Sequence, residues 1–198
     1  MSERLERAIL RKAEESSSAK LDFFATEAPR IAECATRINA AFERGGRLFS
    51  FGNGGSACDA EHLALEFMHP VIEKRPALPA SALGTSSAFL SAVGNDQDFS
   101  FVFAAQLSQL AQEGDIAIGI STSGKSASVL RGLARAREQK LLVVGFSGRD
   151  GGRMSELCDF CFTVPSFSIH RIQEVHETLI HVLWDLVHVV RGAEDIVG

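Results

Sequence analysis

The stretch Asp115-Ile116-Ala117-Ile118-Gly119-Ile120-Ser121-Thr122-Ser123-Gly124-Lys125-Ser126 decides how this chain folds. Its first half is an apolar run without polar alternation, the pattern of a strand buried on both faces. Its second half places hydroxyls at Ser121, Thr122, Ser123 and Ser126 around one glycine, and a helical pattern follows over 126–139. Working outward, the run Arg47–Phe51 leads in the same way into Gly52-Asn53-Gly54-Gly55-Ser56 and a helical segment over 56–69. Three more short runs, Ala80–Leu83, Leu141–Ser147 and Phe160–Val164, alternate with helical or turn segments at 86–94, 100–112 and 152–157. Strands spaced this way predict an α/β fold, a three-layer αβα sandwich around a five-stranded parallel sheet.

Helices flank this sheet pattern at both ends. A polar helix is predicted over 3–25, its apolar residues Leu5, Ile9, Leu10, Leu21, Phe23 and Phe24 packing on a partner or on the domain body. A second helix is predicted from Pro29, where Ile31, Cys34, Ile38 and Phe42 recur at helical spacing until Gly45-Gly46 stops them. The segment 170–191 is apolar around most of its circumference, so it belongs in the core or in a subunit interface. There is no repeat, low-complexity tract or Pro/Ser linker, which points to a single domain over 1–198 with 1–45 as a helical interface element.

Composition narrows the function. With 198 residues and 45% hydrophobic content the chain can bury one core. A formal net charge of -5 argues against nucleic acid as a partner, which calls for a basic stripe. No run approaches the ~20 apolar residues that span a bilayer, and the opening MSERLERAILRKAEE lacks a signal-peptide core, so a cytoplasmic protein without membrane contact is expected. Of the four cysteines, Cys34, Cys58, Cys158 and Cys161, only the last two form a CxxC, and it runs into a strand. Reduced, half-buried thiols are the expectation.

The two strand-end loops are the candidate binding elements, because ligands of open parallel sheets sit beyond the carboxyl ends of the strands. Glycines such as Gly54 and Gly55 allow close backbone approach, and hydroxyls together with helix N-terminal N–H groups suit a phosphate monoester. Two other readings stay open for the hydroxyl loop. Gly119 to Ser126 fits G-x-x-x-x-G-K-[ST], a nucleotide-binding P-loop, although Gly119 falls inside the apolar run and the strand ending at Ser147 lacks a magnesium-holding Asp. An ordinary Ser/Gly-rich turn would look the same.

His62 and Glu66 are four apart, on one helix face, and Gln173 and His181 are eight apart on the C-terminal helix. Two imidazoles, a carboxylate and an amide oxygen suit Zn2+ or a similar ion, and the same groups suit proton transfer between the carbons of a ketose and an aldose. A surface His–Glu pair and structural hydrogen bonds from Gln173, His176 and His181 are the plainer alternatives. Asp185, one turn after His181, orients that imidazole or lies solvated at an interface, and His188 is given no role.

At this point the chain resembles the phosphoheptose isomerases, a branch of the sugar-isomerase (SIS) domain proteins. The resemblance rests on Gly52-Asn53-Gly54-Gly55-Ser56, Asp59-Ala60-Glu61-His62 with Glu66, Arg75-Pro76, Gly94-Asn95-Asp96, Glu113-Gly114-Asp115, Ser121-Thr122-Ser123-Gly124 with Ser126, Asp150-Gly151-Gly152, Val164-Pro165, and Arg171-Ile172-Gln173-Glu174-Val175-His176 with His181. It implies a flavodoxin-like SIS fold and an aldose–ketose isomerase acting on sedoheptulose 7-phosphate through an enediol, for heptose precursor synthesis. Ser121, Thr122, Ser123 and Ser126 would hold the phosphate. Asn53, Gly54, Gly55 and Ser56 would lie against the sugar, Asp96 would contact hydroxyls, and Gln173 would face the substrate. Glu66 would be the base and His181 the acid, the latter coming from a different part of the assembly. The resemblance also implies a zinc ion on His62, Glu66, Gln173 and His181, and a homotetramer with sites built between subunits. A non-catalytic SIS module, either a sugar-phosphate sensor or an adaptor for a replication initiator, is the alternative.

Three positions depart from the family pattern. His69-Pro70 stands where an arginine often follows the glutamate, His170 where some members carry an acid, and Lys125 where the phosphate loop usually has asparagine. Loss of that arginine removes a bidentate donor for distal sugar hydroxyls.

Overall fold

The computed structural model describes residues 2–71 and 75–195. Five strands form one sheet in the order β2-β1-β3-β4-β5, every neighbouring pair parallel. They are β1 (Leu48–Gly52), β2 (Ala80–Ala82), β3 (Ile116–Ser121), β4 (Leu142–Gly148) and β5 (Phe160–Val164). The helices are α1 (Ser2–Glu43), α2 (Gly55–Met68), α3 (Ser87–Asp96), α4 (Val102–Leu110), α5 (Ala127–Glu138) and α6 (Ile169–Val190), with short 3-10 turns at Phe99–Phe101 and Met154–Glu156. This strand order is the flavodoxin-like one.

The uninterrupted apolar runs have a direct structural cause, since β1, β3 and β4 are buried along their whole lengths. Alternate residues feed two cores. Ile116, Ile118 and Ile120 face α1, α2 and α6, while Ala117 shares the other face with Phe49, Phe51, Val143 and residues of α4 and α5. Gly119 belongs to that second face. A Cβ there would lie 2.8 Å from Leu133 Cδ2 and 3.1 Å from the Phe51 ring, so its lack of a side chain lets α5 close onto the sheet.

One expectation fails at the N-terminus. The two helices predicted over 3–25 and from Pro29 are a single helix, with Pro29 inside it. Proline removes one backbone donor and crowds the carbonyl four residues back, at about 3 kcal/mol in a helix interior. Burial of Phe23, Ile31, Cys34, Ala35, Ile38 and Phe42 on both sides of the proline offsets that loss and keeps α1 continuous. Nearer the N-terminus the helix leaves the domain body, and Leu5, Ile9, Leu10 and Leu21 are 59–72% exposed.

Helix α6 buries Ile172, Val175, Leu179, Ile180, Leu183 and Val187 against α1 and α2, as its apolar circumference predicts. Two of its histidines point inward as well. His176 Nε2 donates to the Ser147 carbonyl at 2.9 Å, and burial pushes its pKa down to about 4, so the ring is a neutral structural element. Burial, followed by Arg75 and Arg191, does the same to His188. Cys158 and Cys161 pack over Gly145 as free thiols. No helix among the described residues is long and apolar enough to cross a membrane.

Candidate active site

The central strands β1 and β3 are neighbours, yet their connections run to opposite edges of the sheet. Their carboxyl ends therefore open a crevice, and both candidate loops leave from it. Asn53, just past β1, ties the loops together. Its Nδ2 donates to Ser126 Oγ at 3.0 Å and to Ser128 Oγ at 2.9 Å.

The hydroxyl loop is compact and is held largely by backbone. Gly124 N–H donates to the Ser121 carbonyl at 3.0 Å, Ser121 Oγ and Ser123 Oγ lie 3.4 Å apart, and Lys125 N–H donates to Ser123 Oγ at 3.2 Å. Gly124 has φ 62°. A Cβ on it would strike the Gly151 carbonyl, and its own carbonyl accepts from Arg153 N–H at 3.1 Å. The turn at 150–153 thus braces the loop from behind. Ser126 is the N-cap of α5 but makes no side-chain cap bond; its hydroxyl accepts from Asn53 Nδ2 and lies 3.3 Å from Ser128 Oγ, at a helix N-terminus whose N–H groups suit an anion. The Lys125 ammonium pairs with Asp150 at 3.0 Å, and that contact, with the Gly152 N–H, lowers the Asp150 pKa.

This geometry removes the P-loop reading. Gly119, the first residue of that pattern, is a strand residue of β3 under Leu133. A phosphate-cradling loop instead begins where its strand ends.

Helices α2 and α6 pack together and bring the carboxylate–histidine set into one cluster. His62 Nε2 hydrogen-bonds Glu66 Oε1 at 3.1 Å, and the His62 and His181 rings meet edge-on with centroids 5.0 Å apart. The ligand atoms of His62, Glu66 and His181 all lie within 4.8 Å of one another in one chain. Glu66 and His181 are therefore brought together by the packing of α2 on α6 and not, as expected, from different parts of an assembly. Such a donor set fits one divalent ion of the zinc type after small side-chain adjustments. Gln173 sits two turns before His181 on α6, and its amide lies on Gly55 at the start of α2, where any side chain would collide with it.

Two acids that sequence reasoning left without a role join this cluster. Glu177 Oε1 lies 2.8 Å from His62 Nδ1, midway along α6 between Gln173 and His181. Asp59, one turn before His62, has its pKa raised to about 6 by burial and, second, by the Glu177 charge, with His62 opposing. The four-residue rhythm Gln173–Glu177–His181 is visible in the sequence and would have found Glu177.

Other candidates stand apart. Asp96 ends α3, is exposed, and accepts from Asn95 Nδ2 at 2.8 Å, without a hydrogen bond to any other candidate among the described residues. Asp185 does not orient His181. Its carboxylate lies 2.7 Å from Arg75 Nη2, off the hydrogen-bonding angle and therefore as an ion pair, while that guanidinium also covers Trp184 at 4.7 Å and donates to the Glu194 carbonyl at 2.8 Å. His170 is exposed in the first turn of α6, and His69 is exposed at the end of α2.

Residues 13–148 match the SIS domain family. The phosphoheptose isomerase of Desulfovibrio desulfuricans is 47% identical over 178 residues, covering 90% of this chain and 85% of that protein. The phosphoheptose isomerase structure from Neisseria gonorrhoeae superposes with a TM-score of 0.87 at 33% identity, covering 96% of this chain and 100% of that one. The phosphoheptose isomerase from Francisella tularensis gives 0.88 at 33% identity, covering 92% and 97%.

Proposed function

Because the chain belongs to the SIS-domain proteins and, within them, to the phosphoheptose isomerase family, we propose that it interconverts sedoheptulose 7-phosphate and D-glycero-D-manno-heptose 7-phosphate in heptose biosynthesis. The observation that carries this reading is the meeting of Glu66 and His181 in a chain that also carries the hydroxyl loop past β3. A non-catalytic sensor would need the loop but not the paired base and acid.

The phosphate binds on Ser121, Thr122, Ser123 and Ser126 and on the open N–H groups at the start of α5, without a formal cation. The reacting end of the sugar then extends toward Asn53, Gly54, Gly55 and Ser56, with Gln173 alongside, and Asp96 contacts a hydroxyl. Glu66 takes a proton from C1 of the ketose. The electron pair forms the C1–C2 double bond of the enediol, and His181 gives a proton to the C2 oxygen. In the second half, proton return to C2 and loss of the O1 proton leave an aldehyde at C1. His62, Glu66, Gln173 and His181 are the residues that would hold a zinc ion. The ion would stabilise the negative charge on the enediolate oxygens.

The chain acts in the cytoplasm as a homotetramer with sites completed between subunits. In that assembly Leu5, Ile9, Leu10 and Leu21 of α1 are covered by other copies, which accounts for apolar residues that the isolated domain leaves in water. The test is an assay of the purified protein on sedoheptulose 7-phosphate and shorter ketose phosphates, with and without a chelator, after light scattering. Turnover of the seven-carbon ketose, loss of rate with chelator and a mass four times 21.4 kDa are expected. Binding of the sugar phosphate without turnover would overturn the enzyme reading.

A further inference from the structure

Cys158 and Cys161 take no part in the steps above, yet their surroundings are unlike those of an enclosed structural thiol. Cys161 is held in β5 opposite Gly145, and Cys158 lies just outside that strand. Both sulfurs converge on the same glycine, since a Cβ on Gly145 would lie 2.7 Å from Cys158 Sγ and 3.6 Å from Cys161 Sγ. The missing side chain leaves the space beside both sulfurs open. Ser147 Oγ lies 3.5 Å and Thr163 Oγ1 3.8 Å from Cys161 Sγ, while the two hydroxyls bond each other at 2.8 Å. One hydroxyl proton makes that bond, and the other is available to the sulfur. The neighbouring Cys158 thiol first, and then these hydroxyls, draw the Cys161 pKa down to about 6 against the effect of burial. Cys158 is shifted the opposite way, chiefly by Cys161 and then by burial, so it keeps its proton. Both residues are partly exposed. Cys158 also lines a cleft of about 380 Å3 whose wall carries Arg37, Arg44, Arg137 and Lys140 against the acid Asp159. Reactive cysteines sit in electropositive, partly open surroundings of this kind, whereas buried structural ones are inert.

We propose that Cys158 and Cys161 are a redox-active pair that hydrogen peroxide closes into a disulfide. The free thiols of the structure are the reduced state of that pair. The Cys161 thiolate attacks one peroxide oxygen, the O–O bond breaks, and the other oxygen leaves as hydroxide and takes up a proton to become water. Cys161 is thereby oxidised to a sulfenic acid. The Cys158 sulfur then attacks the Cys161 sulfur, the S–O bond breaks, and the hydroxyl leaves with the Cys158 proton as a second water. Two thiols lose two electrons and two protons, and the peroxide is reduced to two waters. Position assigns the roles. Cys161 has the hydroxyl donors that stabilise a thiolate, and Cys158, outside the strand and protonated, is the sulfur that closes on it. Exchange with a small dithiol, which is itself oxidised to a disulfide, returns both cysteines to thiols.

The test uses the full chain as wild type, Cys158→Ser and Cys161→Ser, each reduced beforehand and then treated with hydrogen peroxide. Remaining thiols are blocked with N-ethylmaleimide and the protein is cut with trypsin. Cleavage after Arg153 and Arg171 gives one peptide, 154–171, that carries both cysteines. In the wild type this peptide should become about 2 Da lighter and take up no maleimide, and dithiothreitol should restore both thiols. The pair should close about tenfold or more faster than the exposed Cys58 of the same molecule is oxidised. In Cys158→Ser, dimedone should trap a sulfenic acid on Cys161. In Cys161→Ser, Cys158 should react no faster than Cys58. Maleimide on both cysteines of the wild-type peptide after Cys58 has been oxidised would overturn the proposal, and so would a wild-type product that dithiothreitol does not reverse. Neither outcome depends on how well the variants fold. A sulfenic acid that forms on Cys158 in Cys161→Ser as fast as on Cys161 in Cys158→Ser overturns the assignment of roles.

Discussion

The hydroxyl loop at 121–126 and the carboxylate–imidazole cluster between α2 and α6 are held differently. The loop is fixed by backbone: Gly124 is pressed on Gly151, and its carbonyl takes the Arg153 N–H. The cluster is fixed by side chains on two helices, with His62 placed by Glu66 at 3.1 Å and Glu177 at 2.8 Å. Phosphate binding is common to ground and transition states, and a rigid backbone cradle serves it. Proton transfer needs groups whose protonation can change, and those are side chains with room to respond.

The largest effect should come from the cluster. Glu66→Gln removes the base while keeping the shape, and kcat should fall about 1,000-fold with little change in KM. A matching rise in KM would mean that the two regions are not separable. Gly124→Ala probes the loop in the opposite sense. A Cβ at φ 62° against the Gly151 carbonyl should lower stability by about 3 kcal/mol and raise KM for the phosphate ester. Chemical denaturation and steady-state kinetics check both, and an unchanged KM would show that the turn at 150–153 does not brace the loop. The smallest effect lies at the edge of the cluster, where α2 begins against α6. Gly55→Ala displaces the flexible end of Gln173, and zinc affinity should fall about tenfold with the fold intact. No change by chelator competition would remove Gln173 from the ion's neighbourhood.

That division also explains what could be read from the sequence. Runs such as Ile116–Ile120 and Leu142–Phe146 announce fully buried strands, and a hydroxyl loop after a strand is a local pattern, so the sheet and the placement of that loop at a strand end were legible. Continuity of α1 was not, because Pro29 is a local stop signal that only tertiary burial on both sides overrides. His62, Glu66 and His181 could be singled out by residue type, but their meeting depends on how α2 packs on α6. His176 and His181 lie five apart on one helix. One bonds the Ser147 carbonyl in the core and the other joins the cluster, and only the helix orientation distinguishes them. Asp185 looked equally able to serve His181 until Arg75, over a hundred residues earlier, claimed it.

Gly55 has a consequence for anyone who would move this site elsewhere. The glycine-rich segment after β1 looks like a portable cassette, complete within five residues. Its third glycine, however, is shaped by an amide more than a hundred positions later in the chain. Grafted onto another α/β scaffold without α6, the segment would keep its turn but lose the amide that makes that glycine necessary. The transferable unit is the loop together with the far helix, and a design or a recombination event that separates them inherits only half a site.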